Sequence, residues 1–173
     1  MARSSTNLGS PGDEAGARNP SVLLFHVNDS TDDQVLFQAA CKRAGVPVNW
    51  HVADSAAKAI SYLETLVETS RRHEVHWPDL VLLDIVMPGG TGFDVLRFLR
   101  ATPELSRIPI VIFTGHDDPA LRAEAQRLGA HGFILKPEVF AKTVEIARAI
   151  YAFCSYGRPL DSLGRDVTGG PAA

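Results

Sequence analysis

The chain has 173 residues, of which 45% are hydrophobic, which is enough for one domain with a core but not for two large domains. Its formal net charge of -3 gives no electrostatic reason to expect nucleic acid or an anionic membrane as the main partner. No apolar run approaches the roughly 20 residues that cross a bilayer, and no secretory signal is evident. We therefore expect a cytoplasmic protein whose two cysteines, Cys41 and Cys154, are reduced thiols.

The two ends of the chain differ in composition from the segment between them. Residues 1–20 are rich in Gly, Ser, Pro and Asn, and residues 155–173 are similarly polar, so we predict a flexible tail at each end. Residues 21–154 are predicted to form one compact domain. Because neither tail has room for a DNA-binding or enzymatic output domain, we expect this domain to act alone.

Short apolar runs alternate with helical patterns along the predicted domain. The runs at residues 22–25, 80–83, 110–113 and 133–135 are continuously hydrophobic, which is typical of strands covered on both faces, and residues 48–52 indicate a weaker strand. The most apolar run, residues 80–83, is expected to be the central strand.

Each predicted strand is followed by a predicted helix. The first helix follows a capping sequence and ends at Gly45, and the third begins with a capping box of Thr91 and Asp94. The predicted helices are residues 32–44, residues 56–67, a helix from Thr91 through Leu99, a helix opened by Asp118-Pro119, and a long last helix opened by Pro137.

Five strands that alternate with five helices predict an α/β protein, with a doubly wound parallel sheet and helices on both faces. Ligands of such sheets bind beyond the carboxyl ends of the strands. Strand one is followed by Asn28-Asp29, strand three by Asp84, strand four by Thr114 and strand five by Lys136. We therefore expect two acids, a hydroxyl and an ammonium to converge on one pocket.

These strand ends resemble the receiver domain of two-component response regulators, and the resemblance covers residues 21–154. The segment Leu82–Gly89 with Gly92-Phe93 is similar to the family's phosphoacceptor strand and turn, and Phe113-Thr114-Gly115 and Phe133–Pro137 are similar to two further signatures. The resemblance implies a flavodoxin-like fold with strand order 2-1-3-4-5.

The resemblance also assigns roles to the strand-end residues. Asp84 would accept a phosphoryl group from a histidine kinase, and Asp29, Asp84 and the Val86 backbone carbonyl would bind Mg²⁺. Lys136 would pair with Asp84 and then with its phosphate oxygens, and Thr114 would donate a hydrogen bond to the phosphate. The protein would then be a phosphoacceptor with at most self-catalysed phosphorylation and dephosphorylation, and not an enzyme.

Several residues depart from the family pattern or have two interpretations. Asn28 replaces the first of two acids that usually end strand one, and we assign it to the outer shell of the metal. Phe133 is either the switch aromatic that moves with Thr114 or a core residue. His116 is either a residue that tunes phosphate lifetime or a solvated loop residue. The connection 68–78 resembles an insertion in the phytochrome response-regulator subgroup, and it is either a partner contact or a solvated loop.

Output is expected through protein contacts, either with a downstream target or with a histidine phosphotransferase. The last helix carries an apolar stripe that can serve as core or as a homodimer surface, formed by Phe140, Val144, Ala147, Tyr151 and Cys154.

Two other functions require residues that the sequence lacks. A haloacid-dehalogenase-type phosphatase needs a second acid where Val86 stands, and a dinucleotide-binding fold needs a Gly-rich turn after strand one, which the chain lacks. The remaining alternative is a phosphorylation-independent pseudo-receiver that acts as a binding adaptor.

Overall fold

The structure, a computed structural model, describes residues 21–160 and contains two sheets. The strands of the main sheet are β1 (Val22–Val27), β2 (Val48–Ala53), β3 (Leu80–Leu83), β6 (Ile110–Thr114) and β7 (Gly132–Leu135). The second sheet is an antiparallel hairpin of β4 (Val86–Met87) and β5 (Gly90–Thr91). The main sheet is parallel throughout, with the order β2-β1-β3-β6-β7. With the hairpin set aside, this is the predicted order 2-1-3-4-5, so the predicted fold is confirmed.

Residues 21–160 contain five helices, of which four connect strands and the last follows β7. They are α1 (Thr31–Ala44), α2 (Ala56–Ser70), α3 (Gly92–Ala101), α4 (Pro119–Arg127) and α5 (Phe140–Tyr156). Ser30 caps α1 by accepting a hydrogen bond from Asp33 N, and Gly45 ends that helix in the left-handed region at φ 71°. The capping box of Thr91 and Asp94 at the start of α3 is present as predicted.

The helices cover both faces of the main sheet and enclose two cores. Helix α1 packs against α5 on one face, and α2 packs against α3 on the other. Alternate residues of β1 divide between the cores, with Leu24 on the α1/α5 side and Phe25 and Val27 on the α2/α3 side. Every residue of β3 is completely buried, as predicted for the central strand.

Two predicted boundaries near the carboxyl terminus were wrong. Helix α5 begins at Phe140 rather than at Pro137, because Lys136 N still bonds to Thr114 O in the strand ladder and the chain must then turn onto the helix. The predicted tail at 155 begins too early, because α5 continues to Tyr156 and Leu160 packs into the α1/α5 core at 5% exposure.

Other predictions on the chain ends and loops fall partly outside the structure. Residues 1–20 and 161–173 lie outside the described residues, so the predictions of flexible tails stay predictions there. Helix α2 extends beyond its predicted end through Ser70, so the first part of the connection 68–78 is helical. None of the helices within residues 21–160 has the length and apolar character needed to span a membrane.

Candidate functional site

The ends of β3 and β7 bring an aspartate and a lysine into direct contact. Asp84 directly follows β3, is 6% exposed, and donates its backbone N–H to Val27 O at 2.9 Å. Lys136 directly follows β7, and its Nζ atom lies 2.5 Å from Oδ2 of Asp84. The structure therefore brings these two predicted site residues together.

The chain after Asp84 is held close to the strand end by a glycine. The N–H of Gly92 donates to Ile85 O at 2.8 Å, and a Cβ atom at position 92 would lie 2.1 Å from the carbonyl oxygen of Asp84. Only glycine fits this close approach. On the side chain of Asp84, Oδ1 has only a long contact of 3.4 Å with Val86 N, so this oxygen remains available to a ligand.

Thr114 lies beside the pair at the end of β6. It is completely buried, and its carbonyl oxygen accepts the backbone N–H of Lys136 at 2.8 Å. Its hydroxyl oxygen accepts the backbone N–H of His116 at 3.4 Å, which leaves the hydroxyl hydrogen free to donate. The side chain of His116 itself is exposed.

Asn28 and Asp29, after β1, have opposite environments. Asp29 is exposed, whereas Asn28 is completely buried and its Oδ1 accepts the backbone N–H of Ser30 at 2.9 Å. Its Nδ2 is buried and has no hydrogen-bond partner among residues 21–160. Oδ1 keeps a second lone pair beside the Ser30 N–H, so the outer-shell role of Asn28 stays a prediction.

The structure adds an acid, Asp33, that was not among the predicted site residues. Oδ2 of Asp33, in the first turn of α1, lies 2.7 Å from Lys136 Nζ, so the ammonium bridges Asp33 and Asp84. Burial alone would raise the pKa of Asp33, but the hydrogen bond and charge of Lys136 outweigh it and lower that pKa. The Asn28 amide also favours the charged form without reaching hydrogen-bond geometry.

Comparison with known families decides the class of protein. The family model for the response regulator receiver domain matches residues 25–148. The chain belongs to this family. Its strand-end residues are therefore those of a signalling domain of two-component systems.

Curated relatives agree with this assignment. The chain is 32% identical over 126 residues to the two-component response regulator ORR1 of Oryza sativa subsp. japonica, covering 72% of this chain and 52% of ORR1. It is 40% identical over 75 residues to protein PilH of Pseudomonas aeruginosa, covering 42% of this chain and 62% of PilH. The chain thus spans about half the length of the first of these relatives.

Solved structures share the receiver fold. The phosphorylated cyanobacterial phytochrome response regulator RcpA is 25% identical, with a TM-score of 0.69 over 80% of this chain and 97% of RcpA. The Mn²⁺-bound form of the response regulator Rcp1 is 21% identical, with a TM-score of 0.67 over 87% of this chain and 99% of Rcp1, and its likeness shows the fold alone.

The pocket of this receiver domain has the chemistry of a divalent-cation site. The predicted donors are the Asp29 carboxylate, which is exposed, Oδ1 of Asp84 and the Val86 carbonyl, and an all-oxygen set is what Mg²⁺ prefers. Within residues 21–160 no group of three or more His, Cys, Asp or Glu side chains could hold a metal. The residues fit Mg²⁺ if the backbone carbonyl and waters complete its ligands.

A buried histidine of the receiver domain lies close to the charged cluster. His26, on β1, is 1% exposed, and its ring packs edge-on against Phe37. Burial and then the Lys136 ammonium lower the pKa of His26 to about 4, against smaller opposing effects of Asp33 and Asp84. Within residues 21–160 its Nδ1 has no hydrogen-bond partner. The sequence signal for it is a polar residue between the apolar run 22–25 and Val27.

The remaining predicted residues lie outside the pocket. Phe133, on β7, is 2% exposed, and the guanidinium carbon of Arg122 lies 4.4 Å from the centre of its ring, so outward movement of the ring would displace Arg122. On α5, Val144, Ala147 and Tyr151 are buried, whereas Phe140 is 39% exposed. Most of the apolar stripe is therefore core, and the homodimer surface stays a prediction.

Proposed function

We propose that Asp84 is the phosphoacceptor of this receiver domain and takes its phosphoryl group from the phosphohistidine of a histidine kinase. The observation that supports this is the bridge at the tip of the central strand, where Lys136 holds one oxygen of a buried carboxylate and leaves the other available. The other strand-end groups would supply the donors that phosphoryl transfer needs.

The proposed reaction is an attack of Asp84 Oδ1 on phosphorus. The O–P bond forms as the P–N bond of the phosphohistidine breaks, and the imidazole nitrogen keeps the electron pair and takes up a proton. Lys136 would stabilise the charge on the transferred group, and the Thr114 hydroxyl would donate to one of its oxygens. A Mg²⁺ ion bound by Asp29, Asp84 and the Val86 carbonyl would neutralise further negative charge.

The added group would change the electrostatics of the pocket. Phosphorylation adds a charge of about -1.5 to -2 and three acceptor oxygens. Thr114 would move toward these acceptors, and we propose that the change passes through Phe133 to the surface of α4, β7 and α5. The signal would be read there by a downstream protein or passed to a histidine phosphotransferase. Because the phosphodonor is made from ATP, the reaction belongs in the cytoplasm.

Intact mass after incubation with phosphoramidate and Mg²⁺ tests the proposal, because this donor also transfers phosphorus from a P–N bond. The wild-type chain should gain about 80 Da, one phosphoryl group. The Asp84→Asn variant should gain nothing, and Asp117→Asn, which removes an exposed carboxylate after Thr114, should gain the same mass as the wild type.

A binding adaptor that signals without phosphate is the second candidate, and the neutral, buried side chain of Asn28 favours it. An amide where the family usually has an acid leaves the cation site with one negative charge fewer, which weakens the case for a metal-dependent reaction. A wild-type chain that stays unmodified under the conditions above, and with acetyl phosphate as a second donor, would contradict phosphorylation of Asp84 and favour the adaptor.

A further inference from the structure

The Lys136 ammonium is shared between carboxylates from two distant parts of the chain. Asp84 comes from the end of β3 and Asp33 from the first turn of α1, at 2.5 and 2.7 Å from Nζ. The lysine side chain is 17% exposed and the Asp33 side chain is 34% exposed, so this second ion pair is partly sheltered from solvent. Such a pair is screened less than a fully exposed one.

The second ion pair, with Asp33, reduces the extent to which Lys136 neutralises Asp84. An ammonium held by one carboxylate alone would neutralise it, and the carboxylate would then attract a cation less and attack phosphorus less readily. With Asp33 as a second partner, part of the positive charge is directed away from Asp84. Asp33 also adds a negative charge to a pocket in which the buried residue after β1 is the neutral Asn28.

We propose that Asp33 is a positioning residue of the phosphorylation site, which draws Lys136 partly away from Asp84 and so keeps that carboxylate available to a divalent cation and to phosphorus. This inference rests on the proposed function, because it gives Asp33 a task in the same reaction. It goes beyond that function because it places an acid of helix α1 in the site.

Calorimetric titration of the unphosphorylated protein with Mg²⁺ tests the inference. In Asp33→Asn the pocket loses a negative charge and Lys136 is left with Asp84 alone, and both effects weaken the binding of a cation. We expect the Mg²⁺ affinity to fall roughly 3- to 10-fold. The matched control is Asp32→Asn, which removes an exposed acid from the same first turn of α1 and should change the affinity less than about 2-fold.

A second variant separates positioning from a structural role of Asp33. The buried Asn28 side chain lies close enough to Asp33 to affect its charge, so an acid at position 28 would also lie near Lys136. The double variant Asn28→Asp/Asp33→Asn should therefore recover the wild-type Mg²⁺ affinity to within about 2-fold. Because an acid at position 28 can also act on the cation directly, Asn28→Asp alone is measured as the reference, and loss of Asp33 should lower the Mg²⁺ affinity less in that background than in the wild-type chain.

The outcomes distinguish this inference from the proposed function. Equal affinities of Asp33→Asn and Asp32→Asn, or no recovery in the double variant, would overturn the role of Asp33 while phosphorylation of Asp84 stands. The expected affinities without a mass gain in the wild-type chain would overturn the phosphoacceptor and leave the positioning of Lys136 intact. A wild-type chain that binds no Mg²⁺ would overturn both.

Discussion

At each end of the main sheet, a partly buried cation lies near a histidine with a lowered pKa. At the carboxyl end Lys136 bridges the carboxylates of Asp33 and Asp84, and at the amino end Arg100 donates to the carbonyl oxygens of Gly129, Ser106 and Ile108. Burial comes first among the causes that lower the pKa of each histidine, followed by the nearby cation: Lys136 for His26 and Arg100 for His131.

The difference lies in the partners of the two cations. The backbone carbonyl oxygens that Arg100 binds cannot change charge, and His131, whose Nδ1 lies 3.2 Å from Nη2 of Arg100, already accepts the Ile110 N–H, so the Arg100 cluster holds the start of β7 against the end of α3. A carboxylate can be protonated, bind a cation or accept a phosphoryl group, and Lys136 must respond to each change. A buried cation is thus structural or functional according to whether its partners are fixed or variable.

Replacement of each cation by methionine is expected to give the largest effects. Lys136→Met should slow phosphorylation by phosphoramidate about 100-fold or more, because an electrostatic donor to the transferred group is lost. Arg100→Met should leave that rate nearly unchanged but lower the free energy of unfolding by about 2 kcal/mol, because backbone carbonyls lose their donor. The measurements are phosphorylation kinetics and urea denaturation. An Arg100→Met variant that is phosphorylated slowly but keeps the wild-type stability would contradict the structural role of Arg100.

At the carboxyl end, the buried His26 should make the stability of the protein depend on pH. The pKa of His26 is about 4 in the folded chain against 6.5 for an unperturbed histidine, so the unfolded chain binds more protons between these values. Above pH 6.5 His26 is neutral in both states and does not lower the free energy of unfolding. About 3 kcal/mol of that free energy is lost as the pH falls to 4, because only the unfolded chain then protonates this histidine. His26→Leu should remove this part of the pH dependence in urea denaturation.

An exposed histidine provides the control for this experiment. His73→Leu should keep the wild-type pH dependence, because its side chain is exposed. If His26→Leu and the wild type lose stability in parallel between pH 6.5 and 4, the acid sensitivity comes from other groups, of which His131 is the first to examine because burial also lowers its pKa.

The smallest effect is expected for a third cation whose carboxylate partners lie in solvent. Arg97 pairs with Asp94 at 3.2 Å and with Glu124 at 3.3 Å, but its side chain is 51% exposed. Exposed pairs of this kind contribute little because water and salt screen them. Arg97→Met should therefore change neither the denaturation midpoint nor the phosphorylation rate measurably. A clear drop in the denaturation midpoint or in the phosphorylation rate would mean that the carboxylate partners of an exposed cation also matter.

Part of the site could be predicted from the sequence because of where its residues stand along the chain. Asp84, Thr114 and Lys136 each directly follow an apolar strand, and the carboxyl ends of parallel strands meet at one edge of a sheet. Asp33 gave no such signal, because an acid in the first turn of a helix is already explained by the helix dipole. Its partner Lys136 lies 103 residues further along the chain.

The sequence by itself determined the alternating strands and helices and the residues at the strand ends, because period, capping and apolar runs are local, and its resemblance to the receiver family implied the strand order. Only the tertiary structure decided how those residues are placed and shared. It buried the amide of Asn28, brought Asp33 to Lys136, placed Leu160 in the core and made α5 begin at Phe140. Each of these depends on contacts between segments far apart in the chain, which a local pattern does not record.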